Sequence, residues 1–121
     1  MLNKIVIMGR LTADPTVRKT SSEKSVANFT VAVDRDFGAE EKETDFIDCV
    51  AWGGAADFIG DYFFKGSMAV VSGRLQIRRW DDKDGNPRRS AEISVENIYF
   101  GEPKREEKPV EKPAAKSRYR R

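Results

Sequence analysis

The sequence predicts an all-β domain carrying one helix, and three observations lead there. Apolar and polar residues alternate through most of residues 1–101, the period-two signature of half-buried strands. One stretch, from Gly54 to Phe64, switches to helical spacing. From Glu102 onward the composition turns to charged residues and proline, which closes the domain. The 121 residues therefore divide into a folded unit, 1–101, and a tail, 102–121.

In the first strand Ile5, Ile7 and Gly9 share one face, with Lys4, Val6, Met8 and Arg10 on the other. The run SVANFTVAVD sets Phe29, Val31 and Val33 inward, opposite Asn28, Thr30 and Ala32. The run TDFIDCVAW sets Ile47, Cys49 and Ala51 on the core face, leaving Phe46, Asp48, Val50 and Trp52 outward. Ala55, Ile59, Tyr62 and Phe63 then recur at i, i+4, i+7 and i+8, one side of a helix, with Lys65-Gly66 as its stop. Gly60 inside that helix is worth roughly 1 kcal/mol less than Ala, so packing has to hold it. The run VVSGRLQIRRW sets Val71, Gly73, Leu75 and Ile77 inward and Ser72, Arg74, Gln76, Arg78 and Trp80 outward. A turn centred on Asp84-Gly85 leads into a last strand with Ala91, Ile93 and Val95 inward. Three strands, a helix and two strands fit a five-stranded Greek-key β-barrel with its helix between strands 3 and 4, the OB-fold arrangement. A small β-sandwich fits the same alternation.

The tail reads EPKREEKPVEKPAAKSRYRR, with almost no bulky apolar side chains, and is expected to be disordered. It holds 8 Lys and Arg against 4 Glu, a net +4, which leaves 14 against 16, a net −2, for residues 1–101. The overall net of +2 hides this division.

Composition removes several chemistries. At 39% hydrophobic residues the chain can build a core. With no histidine it lacks Ser-His-Asp and Cys-His catalysis and His metal sites, and with one cysteine, Cys49, it lacks a disulfide framework and a Cys-cluster zinc site. Cys49 alternates with Ile47 and Ala51 and reads as a small buried hydrophobe. The apolar run Ile5 to Met8 is too short for a signal peptide or a membrane span. A soluble intracellular protein that binds rather than catalyses, without metal or cofactor, is the expectation.

The outward face of the fourth strand carries Arg74, Gln76, Arg78 and Trp80, and that of the third carries Phe46 and Trp52. Large aromatics on the outside of a barrel imply something that covers them. Single-stranded nucleic acid fits both features, since its bases stack on rings and its phosphates pair with Arg and Lys. A subunit interface, also rich in aromatics and Arg, is the other reading.

Through NKIVIMGRLTADPTVR, VANFTVAV, DFIDCVAW, YFFKGS and GRLQIRRW, in that order, residues 1 to about 101 resemble the bacterial and phage single-stranded DNA-binding proteins of the OB-fold type. The resemblance implies a homotetramer, or a dimer, that coats single-stranded DNA in replication, recombination and repair, in the cytoplasm with the nucleoid. It implies base stacking at Phe37, Phe46, Trp52 and Trp80. Parity alone gives Phe46, Trp52 and Trp80, and assigns Phe37 to the core face. Backbone contacts implied by the resemblance fall on Lys4, Arg18, Lys65 and Arg78, with Arg10, Arg35, Arg74 and Arg79 as weaker candidates.

Three departures stand out. Gly53 and Gly54 occupy a place where many members carry a basic pair, and Asp48 puts a carboxylate on the DNA face. The sequence ends Arg118-Tyr119-Arg120-Arg121, so the acidic tip that recruits partner enzymes in the cellular proteins is expected to be absent, as in a phage or plasmid version. Other classes fit less well. Asp34, Asp36, Asp45 and Asp48 could in principle hold a metal. The Asp81, Asp82, Asp84, Gly85 segment has Trp80 where a calcium loop needs its first Asp and Ala91 where it needs its Glu. Lys65 to Ser67 lacks the glycines of a phosphate loop. A protein–protein adaptor and an RNA-binding OB protein share the pattern and differ in their response to oligo-dT.

Overall fold

The structure, a computed structural model, describes residues 1–36 and 43–103. Phe37 and residues 104–121 of the expected tail lie outside the described residues. The elements run β1 (Ile5–Leu11), β2 (Thr16–Lys19), β3 (Ser25–Asp34), β4 (Thr44–Trp52), α1 (Gly54–Tyr62), β5 (Met68–Asp81) and β6 (Pro87–Phe100). One sheet holds all six strands in the order β1-β5-β6-β4-β3-β2, and β1 also pairs with β3. Five strands thus close into a barrel, as the alternation predicts, with α1 between its third and fourth strands. β2 is an addition to that expectation. Its four residues, TVRK, pair only with β3 and are all exposed, so they carry no apolar alternation to read.

Closure depends on two short seams. β1 meets β3 at Arg10↔Ala32 and Leu11↔Val31, and β4 meets β6 in parallel at Cys49↔Ile93 and Val50↔Ser94. Gly9 lies against the first seam, where a Cβ would run into the Ala32 carbonyl oxygen and Val31, so only glycine lets β1 approach β3 there.

The core is built from the inward set. Leu11, Phe29, Val31, Cys49, Ala51, Val71, Ile93 and Val95 are buried, together with Ile59 and Phe63 from the helical segment. Burying Ile59 and Phe63 is worth roughly 1.5–3 kcal/mol each, enough to hold a helix that has no side-chain N-cap and a glycine inside it. The Phe63 ring stacks on Phe100 at 4.7 Å, and Phe58 meets both rings edge-on at 5.8 Å. The helix ends at Tyr62, before the expected Lys65-Gly66 stop, and Gly66, at φ 89°, takes the turn that follows. Tyr62, expected on the packed face, is exposed, and Ala56 is buried on the helix in its stead.

Parity fails at Val50 and again along the outer part of β5 and β6, each with a physical reason. Val50 is buried although it shares parity with Phe46, because β4 is flanked at that point by Asn28 of β3 and Ser94 of β6. Leu75 and Ile77, assigned inward, are 41% and 44% exposed, and Ala91 is exposed as well. After a register irregularity at Ser72/Gly73 the β5–β6 pair runs past the end of the barrel as a two-stranded arm, with pairing continuing to Asp81↔Pro87. Beyond the barrel there is no core for an inward face to meet. The arm closes through Asp82, whose Oδ1 accepts the backbone N–H of Asp84 and of Asn86 at 2.9 Å each, with Gly85 at φ 83°.

Candidate nucleic-acid interface

β4 and the arm display the aromatic side chains. Phe46, Trp52 and Trp80 are 67%, 49% and 44% exposed. Phe46 lies opposite Ala32 and Trp52 opposite Val26 on β3, while Trp80 lies opposite Arg88 on β6. Each ring therefore stands on a strand held from at least one side, a rigid platform with an open face. The Arg78 guanidinium sits over the Trp80 ring, 5.3 Å from its centroid, a cation–π contact that fixes both on the same side of the arm.

A polar cleft of about 330 Å³ joins the arm to the barrel. Arg78 and Glu92 border it from the arm side, Asn28, Thr30 and Asp48 from β3 and β4, and Thr12 to Asp14 from the loop after β1. Asp48 accepts the Thr30 hydroxyl at 2.9 Å. With Asp48 and Glu92 on its lining, the cleft disfavours phosphate and offers hydrogen-bond acceptors to a base edge.

The candidate cations fall into distinct settings. Lys4 is paired with Glu96 at 3.1 Å. Arg10 donates to the Gly66 carbonyl at 2.8 Å and pairs with Glu102 at 3.3 Å, so it ties down the chain leaving β6. Arg35 holds Asp45 through two bonds, of 2.9 and 3.1 Å, and Glu43 at 2.7 Å. That contact raises the Arg35 pKa and holds the Asp45 carboxyl below the usual range. These three are already balanced by carboxylates. Arg18 on β2 reaches Asn28 Oδ1 at 3.5 Å, at the border of the cleft. Lys65 is exposed, and its backbone N–H donates to Asp14 at 2.8 Å. Arg74 and Arg78 share the Trp80 face, whereas Arg79 points to the other side of the arm.

Of the aspartates weighed as metal ligands, Asp34 accepts the Thr44 hydroxyl, Asp45 pairs with Arg35 and Asp48 accepts from Thr30. Two cations escaped the sequence reading, Arg88 and Arg89. Arg88 stands across from Trp80 and donates to Asp82 at 2.9 Å. The Asp84-Gly85 turn was a usable signal, since folding the strands about it brings Arg88 opposite Trp80.

Residues 2–101 match the model of the Single-strand binding protein family. The chain is similar to the "Single-stranded DNA-binding protein" of Halalkalibacterium halodurans, 44% identical over 86% of this chain and 63% of that one. It is also similar to "Single-stranded DNA-binding protein A" of Bacillus subtilis, 43% identical over 86% and 62%, and to "Single-stranded DNA-binding protein 1" of Staphylococcus aureus, 45% identical over 86% and 64%. The matched part thus spans less than two thirds of the length of these three relatives.

Proposed function

The chain belongs to the single-strand binding protein family, and from that premise we propose that it binds single-stranded DNA without regard to sequence. The observation that carries this reading is the exposure of Phe46, Trp52 and Trp80 on strands, with Arg78 seated over Trp80. Unpaired bases stack on such rings for roughly 1–3 kcal/mol each whatever their identity, while Arg78, Arg74, Arg18 and Lys65 neutralise phosphates. Duplex DNA keeps its bases inside the stack and gains nothing from them. Phe37 is the fourth stacking residue of the proposal. Lys4, Arg10, Arg35 and Arg79 supply backbone contacts, the first three only by exchanging a carboxylate for a phosphate.

The role we assign is protection of single strands during replication, recombination and repair, in the cytoplasm with the nucleoid, by a binding protein rather than an enzyme. Among the described residues no helix is long and apolar enough to cross a membrane. We also assign a homotetramer. Its support is a row of apolar side chains across the outer face of three strands: Met8 of β1 lies beside Val70 of β5, and Val70 beside Tyr99 of β6. Met8, Tyr99 and the nearby Val6 are exposed, a surface suited to a second copy.

Titration with oligo-dT, followed by tryptophan fluorescence, tests the reading. Stacking quenches the emission, and Trp80→Ala weakens binding by roughly 1–3 kcal/mol. If neither Trp80→Ala nor Trp52→Ala lowers affinity, base stacking is not the mechanism.

A further inference from the structure

Asp48 and Glu92 place two carboxylates in the cleft between barrel and arm, on a surface otherwise suited to an anionic strand. Asp48 lies directly across from Thr30 in the β3–β4 ladder, and the Thr30 hydroxyl donates to its Oδ1 at 2.9 Å. That bond orients the carboxylate and leaves Oδ2 without a donor among the described residues. Glu92, half-buried, stands opposite Gln76 in the β5–β6 pair. Among the described residues no cation lies within 4 Å of either carboxylate. Both charges act on the Cys49 thiol, which lines the same cleft, so they share one small volume. Arg78, seated over Trp80, is a further part of the lining, and the cleft therefore adjoins the stacking ring. A carboxylate in such a place weakens strand binding unless the ligand brings it a hydrogen-bond donor. A metal ion is not the natural occupant, since among the described residues no three His, Cys, Asp or Glu side chains gather as ligands.

We infer that Asp48 and Glu92 make the cleft a base-selective subsite, one that accepts a base bearing an exocyclic amino group and disfavours thymine. Cytosine brings its N4 amino group, adenine its N6 and guanine its N2, each a donor that a carboxylate accepts. Thymine carries O4 where cytosine carries the amino group. Its single N3–H lies between two carbonyl oxygens, and a carboxylate repels both. At about 330 Å³ the cleft has room for one base. The inference rests on the single-stranded DNA reading and grades it at one nucleotide: the exposed rings take any base, and the cleft favours some.

The experiment uses the full chain, titrated with oligo-dC and oligo-dU of roughly 16 nucleotides at about pH 8, followed by tryptophan quenching. The two strands share backbone and ring size and differ only along the base edge, so phosphate contacts and stacking nearly cancel. Oligo-dT repeats the comparison with the 5-methyl group present. Wild type binds oligo-dC about tenfold more tightly than oligo-dU, the worth of a hydrogen bond to a charged acceptor. Asp48→Asn and Glu92→Gln keep the side-chain shapes, and each lowers that ratio. The double variant brings it within about twofold, chiefly by gaining affinity for oligo-dU, because an amide can donate to O4. A wild-type ratio already within twofold overturns the subsite, as does a ratio unchanged in the double variant, and both results leave the DNA reading standing. A double variant that loses affinity for the two strands equally also overturns it, and assigns the carboxylates to holding the strands in place. No quenching of the wild type by any of the oligomers overturns both readings.

Discussion

Burial pushes the Cys49 thiol up to about 12, and the nearby charges of Asp48 and Glu92 add to the shift. The reactive thiolate is therefore almost absent at neutral pH, and the side chain is enclosed besides. A chromogenic disulfide reagent at pH 8 is expected to leave the native protein unlabelled for hours and to label it within minutes in denaturant. Rapid labelling of the native chain would show that the barrel opens near the β4–β6 seam. Asp82 shifts the other way. The backbone N–H of Asn86 stabilises its charged form first, aided by Arg88 and Asp84, and its pKa is lowered. The help it gives the turn is present above roughly pH 4 and is lost as the pH falls through the depressed folded value. The aromatic candidates were legible from parity because a ring on the outside of a strand contradicts the pattern around it. The settings of Lys4 and Arg10 were not legible, because Glu96 and Glu102, their partners, lie 92 residues away in the chain.

Helix α1 carries a glycine for a reason that helix propensity does not give. A Cβ at Gly60 would lie 2.8 Å from a methyl group of Val17, so β2 rests on the helix where a side chain is missing. Alanine there gains roughly 1 kcal/mol of propensity, but crowding at a packed contact costs about 1–3 kcal/mol. Gly60→Ala should lower stability by about 1 kcal/mol, and adding Val17→Ala should recover it, as read from urea melts. A Gly60→Ala protein more stable than wild type would mean that β2 yields freely. The arm explains why Leu75 and Ile77 were misplaced. Alternation tells which residues share a face, and it is the same whether that face meets a core or water. Strands and turn were readable, and the end of the barrel was not.

For the whole molecule, the small net charge is the sum of a net −2 domain and a net +4 segment, so only the distribution of charge bears on an anionic ligand. The tetramer proposal belongs at this scale. Met8→Glu would place a carboxylate in the apolar row beside Val70 and Tyr99. The mass by light scattering should fall from four chains to fewer, with the far-ultraviolet spectrum unchanged. A retained tetramer would place the subunit contact elsewhere.

The arm takes part in the candidate interface while contributing little to the core. The residues that keep the chain folded and those of the candidate interface on the arm are largely different residues. A melting curve reports on the first set and is nearly blind to the second. A preparation can therefore pass every test of foldedness while its arm is clipped or altered, and quality control of this protein needs a ligand titration beside the thermal scan.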